Sequence, residues 1–238
     1  YHLTQGELGL ASGLANRLAG LTKGRTGDDA SMAARNAAGV TDWLQGDLTR
    51  ALPHIDHVAG RYDLRQHAHL STVFGEDPGI ACHHYGAIVR QRLGAPDLAE
   101  RHFQTGMEIA HTLDQAFGVA QMLWSGAVIA RERGEVALVR TRAEELIRLC
   151  EAADTRFWLS GGQILAGWAA AVDGRAAGLQ QMRQGMEAWQ QGCVFLTRPY
   201  SLAIYAEACA TFGLIADSRA ALAEARRLAQ VTGEHWYD

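Results

Sequence analysis

The chain has 238 residues, 48% of them hydrophobic and 20% charged, with a formal net charge of −4 and a pI near 6.2. That balance fits a well-cored globular chain and argues against a broad nucleic-acid footprint; no apolar run reaches 18 residues, so no membrane-spanning helix is expected. Abundant Ala, Leu and Arg, with only four prolines, favour helix.

A glycine recurs at Gly6, Gly46, Gly94, Gly134, Gly174 and Gly213, at intervals of 40, 48, 40, 40 and 39 residues. A repeat of this length predicts stacked helical hairpins. Each glycine reads as the turn between a first helix, A, and a second helix, B, which the chain leaves through a left-handed residue.

Residues 1–27 read as helix B of a cut first unit, with the apolar column Ala11, Ala15, Leu18 and Ala19. Full units follow at 30–66, 78–113, 118–153, 157–192 and 198–232, and 233–238 would begin another helix A. The apolar faces of helix B are Ala51, Ile55, Val58, Ala59 and Tyr62, then Ala99, Phe103, Gly106, Met107 and Ala110. They continue with Val139, Ala143, Leu146, Ile147 and Cys150, and with Gly178, Met182, Gly185, Met186 and Trp189. These spacings trace one side of a 3.6-residue helix. Helix A carries a small residue in each unit (Gly39, Ala87, Ala127, Ala166 and Ala206), which lets the two helices approach closely. The one insertion, residues 64–77, is expected to form a loop, with Pro78 opening the next helix.

Gly39…Gly46…Ala51…Ile55 and Ala87…Gly94…Ala99…Phe103 resemble the tetratricopeptide pattern, with units longer than its usual period of about 34 residues. The fold expected is all-α: a right-handed alpha-alpha superhelix, a TPR-like solenoid of antiparallel helix pairs with a period near 40 residues. Several segments narrow the resemblance: Gly75-Glu76-Asp77-Pro78-Gly79-Ile80-Ala81-Cys82, Met182-Arg183-Gln184-Gly185-Met186-Glu187-Ala188-Trp189, Arg198-Pro199-Tyr200 and Thr232-Gly233-Glu234-His235-Trp236. They look like the C-terminal repeat region of bacterial signalling proteins. Those proteins join a class III adenylate/guanylate cyclase domain or a DNA-binding transcriptional-regulator domain to a STAND-type ATPase and tetratricopeptide-like repeats. The resemblance implies a non-catalytic region that senses or binds a partner. The start at Tyr1, without Met or a signal-peptide layout, reads as a fragment.

Carrying the family's groove columns onto this sequence gives a candidate concave binding surface: Asn36 and Trp43, His84 and Gln91, Gln121, Trp124 and Arg131, Ser160 and Gln163, Tyr200 and Glu207. Trp43, Trp124 and Tyr200 would supply apolar contact area, with Arg131 and Asn36 fixing orientation. Trp158, Trp168 and Trp189 read as core. Six histidines (His54, His57, His67, His69, His83 and His84) crowd one stretch but lack metal-ligand spacing, so no metal site and no cofactor is assigned. The run from Gly20 to Gly27 lacks phosphate-loop order and reads as a helix-ending turn. No reactive Ser/His/Asp set or sheltered carboxylate pair is evident, and Glu144 and Glu145 read as solvated. Cys82, Cys150, Cys193 and Cys209 form no CxxC pair and read as reduced thiols of a cytoplasmic protein.

Three functions remain open: a protein or peptide scaffold with an open trough, a small-molecule sensor with a compact pocket, and a self-association module joined through exposed solenoid ends. No nucleic acid and no membrane partner is expected.

Overall fold

A computed structural model describes residues 2–3, 5–24, 29–153, 155–192 and 196–237. The described residues form thirteen α-helices and no strand. After α1 (Leu8–Leu21), five pairs follow: α2 (Asp29–Leu44) with α3 (Leu48–Ala59), α6 (Pro78–Arg92) with α7 (Pro96–Thr112), and α8 (Ala116–Glu132) with α9 (Val136–Ala152). The last two are α10 (Arg156–Val172) with α11 (Ala177–Gln191), and α12 (Arg198–Thr211) with α13 (Ile215–Thr232). The two helices of each pair pack together, and the first helices touch in succession from α2 through α6, α8 and α10 to α12.

All six recurring glycines have positive φ, between 70° and 82°. A side chain at such a φ meets its own backbone, so glycine is the residue that ends the helix there without strain. The backbone bonds agree: Gly94 N–H donates to the Gln91 carbonyl at 3.1 Å, and Ala95 N–H to the Arg90 carbonyl at 2.9 Å. Both satisfy carbonyls that the helix end leaves open.

The small residues inside the pairs act differently. A Cβ on Gly178 would stand 2.3 Å from the Gly167 carbonyl oxygen, and one on Gly167 would stand 2.7 Å from that of Gly178. Here α10 and α11 meet backbone to backbone. Gly39 faces Ile55 and the Ala51 carbonyl across the α2–α3 pair, as its small column requires.

The insertion is not an open loop. It holds two short helices, α4 (Leu64–His67) and α5 (Leu70–Phe74). The Asp63 carboxylate accepts from Arg65 N and Gln66 N and caps α4. Asp77 caps α6 by accepting from Gly79 N and Ile80 N, and it also accepts from the Tyr62 hydroxyl at 2.8 Å. The segment is therefore anchored at both ends.

Residues 233–237 correct a second expectation, because they do not start a further helix. Gly233, at φ 77°, ends α13, and the chain then turns across to α2, where His235 N–H donates to the Leu44 carbonyl at 2.7 Å. Part of the Gly20–Gly27 run lies outside the described residues; α1 ends at Leu21 with Thr22 as its C-cap. No described helix is long and apolar enough to cross a membrane.

The two glycine classes should respond differently to substitution. Gly178→Ala, which forces backbone apart, should cost about 3 kcal/mol. Gly94→Ala, with open space around its Cβ, should cost only the left-handed conformation, about 1 kcal/mol. Urea denaturation of the two variants checks the order; equal losses would contradict it.

Candidate functional site

The first helices bring their aromatic residues to a common centre. Trp43 of α2 lies 4.9 Å, ring centre to ring centre, from Trp236 of the C-terminal segment, and Trp236 lies 4.7 Å from Tyr200 of α12. Trp124 of α8 lies 5.7 Å from Trp158 of α10 and 5.7 Å from His84 of α6. Trp43 and Trp236 are each 1% exposed, Trp124 2% and Tyr200 3%. The expectation of an open trough offering Trp43, Trp124 and Tyr200 to a partner is thereby corrected. These rings are large enough to meet across the inner side of the helices, and Trp236 fills the space among them.

The C-terminal segment is held by polar bonds as well. The Glu234 carboxylate accepts from Trp236 Nε1 at 2.8 Å and from Thr197 N at 3.1 Å. Thr197 sits at φ 61°, a conformation that a β-branched residue rarely adopts, at the N-cap of α12. Arg92 donates to the carbonyls of Trp236 and Tyr237, and its guanidinium lies 5.2 Å from the Trp236 ring centre. Arg131 lies over Trp168 and Tyr200 and pairs with Glu207.

Beside this cluster is a cavity of about 270 Å³. Its walls include Trp43, His84, Tyr85, Phe117, Trp124, Phe157, Trp158 and Trp189, closed on one side by Phe74, Gly75 and Glu76 of the insertion. A second cavity, of about 520 Å³, shares Phe157 and Trp189 with the first and is lined by Ser160 and Gln163. A third, of about 330 Å³, shares Gly75, Glu76, Phe117 and Gln121 with the first, so Glu76 and Gln121 stand between them.

The polar groups of the first cavity are few and constrained. His84 Nδ1 lies 3.0 Å from the Gln121 carbonyl, so it carries the proton and donates. Burial pushes the imidazole pKa down to about 3, leaving the ring neutral. The Gln121 side-chain amide donates to Glu76. Desolvation, opposed by that bond, pushes the Glu76 carboxyl up to about 7. Gln121 Oε1, Trp43 Nε1, Trp158 Nε1 and Thr197 Oγ1 are buried without a hydrogen-bond partner among the described residues.

The sequence-derived candidates thus divide. Trp43, His84, Gln121 and Trp124 line the aromatic cavity, and Ser160 and Gln163 line its neighbour. Arg131, Tyr200 and Glu207 belong to the seat of Trp236 and its surroundings, so Arg131 is already engaged and does not stand ready to orient a partner. Asn36 is half-buried on α2 away from the cavity walls, and the Gln91 side-chain carbonyl accepts from Arg133 Nε at 2.8 Å. Sequence reasoning missed Glu76, Tyr85, Phe117 and Phe157 as wall residues and assigned Trp158 and Trp189 to the core alone. The one available signal was the acidic end of the insertion running directly into the cap of α6.

Elsewhere, several histidines make local contacts: His67 Nδ1 accepts from Asp63 N, and His83 pairs with His102 at 3.0 Å. Among the described residues no group of three His, Cys, Asp or Glu gathers to hold a metal ion. Cys82, Cys150 and Cys209 are free and buried, Cys193 lies outside the described residues, and Glu144 and Glu145 are exposed. Comparison with protein-family models, curated proteins and solved structures gives no match to this chain.

Two outcomes follow from the seat of the C-terminal segment. Trp236→Ala should lower stability by about 3–5 kcal/mol in urea denaturation. Desolvation raises the Glu234 carboxyl from 4.5 to about 7, with the Trp236 and Thr197 bonds opposing. The folded chain therefore keeps a proton that the unfolded chain releases near pH 4.5. The stability linked to it is full below that pH and is lost as pH rises through 7. Neutral His83 and His84, depressed from 6.5 to about 4 and 3, act in the opposite sense, so wild type alone does not isolate Glu234. Glu234→Gln should gain on wild type between pH 5 and 8 in thermal denaturation; a constant difference would remove the assignment.

Proposed function

We propose that this chain is a non-catalytic recognition module of the tetratricopeptide-like, right-handed helical-repeat type. In this reading it is the sensor region of a larger bacterial signalling protein with a STAND-type ATPase and a cyclase or DNA-binding output. The turn glycines, the succession of helix pairs and the resemblance of the quoted segments support it. The observation that carries the mode of binding is the aromatic cavity. Its compact, mostly apolar walls with a few unpaired polar atoms suit a small-molecule effector better than an extended peptide. The cavity draws walls from α2, α6, α8, α10 and the insertion. A ligand that preferred one spacing of these helices would bias the stack toward it, and an attached ATPase could respond to that shift.

A peptide partner is the second reading. Ser160 and Gln163 line a cavity that shares Phe157 and Trp189 with the aromatic one, so an elongated ligand could engage both.

Val40 is buried and lines the aromatic cavity, so Val40→Phe fills that space from within. Thermal-shift screening of the chain against a metabolite collection should find a stabilising compound whose effect Val40→Phe removes while circular dichroism keeps its helical signal. Compounds that stabilise both forms equally, or none at all, would sink the small-molecule reading. Selection of a peptide whose affinity falls with Gln163→Ala would favour the second.

A further inference from the structure

The charge pattern of the aromatic cavity narrows the chemistry of its occupant. Among the described residues, Glu76 is the one carboxylate in the wall, and no Lys or Arg lines the cavity. Among the described residues its hydrogen-bond donor is the neutral Gln121 amide, and the charged influence on it is Asp77, of the same sign. Asp77 itself is fully used in capping α6 and accepting from Tyr62. His84, the imidazole in the wall, has its Nδ1 proton committed to the Gln121 carbonyl and stays neutral. The carboxylate therefore lacks a counter-charge among the described residues, although such a group is costly to shelter unpaired.

The remaining wall is rich in π faces. Trp124, Trp158 and His84 stand 5.7–5.8 Å from one another, and Phe117 and Phe157 flank Trp158 at 5.9 and 4.9 Å. Electron-rich ring faces attract a positive charge that carries alkyl groups, because such a cation loses little hydration when enclosed. A metal ion or phosphate would need several oxygen or cationic donors, which this wall does not offer.

Resting on the small-molecule reading above, we propose that the cavity binds a free organic cation, its alkylated ammonium group against the Trp124 and Trp158 rings and Glu76 as its counter-ion. Gln121 holds the carboxylate in place, and the Trp43 indole N–H can donate to a polar substituent on the ligand. The first and third cavities meet at Glu76, so the charged group of the ligand lies where the insertion closes the site.

The probes are choline and its uncharged isostere 3,3-dimethyl-1-butanol, titrated into the chain by calorimetry with tryptophan fluorescence as a second readout. Choline should bind saturably and roughly tenfold more tightly than the alcohol. Glu76→Gln should remove most of that preference, and Trp158→Leu, which keeps apolar volume but loses the ring, should weaken choline more than the alcohol. Equal affinity for the two probes would overturn the cation while leaving the small-molecule site standing; no binding of choline would overturn the proposal, and the metabolite screen then decides the site separately. A trimethyllysine peptide binding more than about tenfold tighter than choline would reassign the charge to a protein partner and overturn the free ligand.

Discussion

Contact between Trp43, Trp236 and Tyr200 joins the first full helix pair to the last. It adds an end-to-end bridge to the shorter links across the stack, His84 with Trp158 and Arg131 with Glu207 among them. Trp236 is placed by three independent devices: the ring contacts with Trp43 and Tyr200, the Glu234 carboxylate bonding its indole N–H, and Arg92 binding its carbonyl. His235 adds a backbone bond to Leu44, and a Cβ at Gly46 would stand 2.9 Å from the His235 carbonyl oxygen. The same glycine that turns α2 into α3 thus also leaves room for the returning chain.

Two carboxylates, Glu234 buried and Glu76 half-buried, show how differently the same chemistry can be used. Glu234 and Glu76 both have their pKa raised to about 7 by desolvation. Glu234 accepts from an indole N–H and from the backbone N–H of Thr197, the left-handed residue that starts α12. Its bonds explain why it is there. Among the described residues Glu76 accepts from one amide and faces two cavities, so packing alone gives no reason for a carboxylate at that position. That asymmetry separates a structural group from a candidate ligand-binding one. The insertion, expected to be a loop, instead forms α4 and α5 and brings Phe74, Gly75 and Glu76 to the edge of the aromatic wall.

The helices were legible in the sequence because their determinants are local. Glycines at the turns, small residues at Gly39 and Gly178, and apolar columns such as Ala51, Ile55 and Val58 act within one or two turns of chain; the column is buried and Gly39 lies against α3, while Gly178 meets Gly167, Ala170 and Ala171 rather than the small-column residue Ala166. The centre was not legible. A tryptophan on the inner side of a first helix can face solvent, a partner or another helix, and the choice depends on how strongly the stack curves. Trp43 and Trp236 are separated by most of the chain, so no periodicity links them.

The sequence by itself therefore determined where the chain is helical, where it turns and which faces of each pair are buried, since steric limits on φ and the helical period are set residue by residue. Only the tertiary structure decided that the inner aromatic residues close on one another, that residues 233–237 return to α2, and that Glu76 stands at a cavity wall. Those outcomes depend on distances between helices far apart in sequence, fixed by the summed packing of every pair between them.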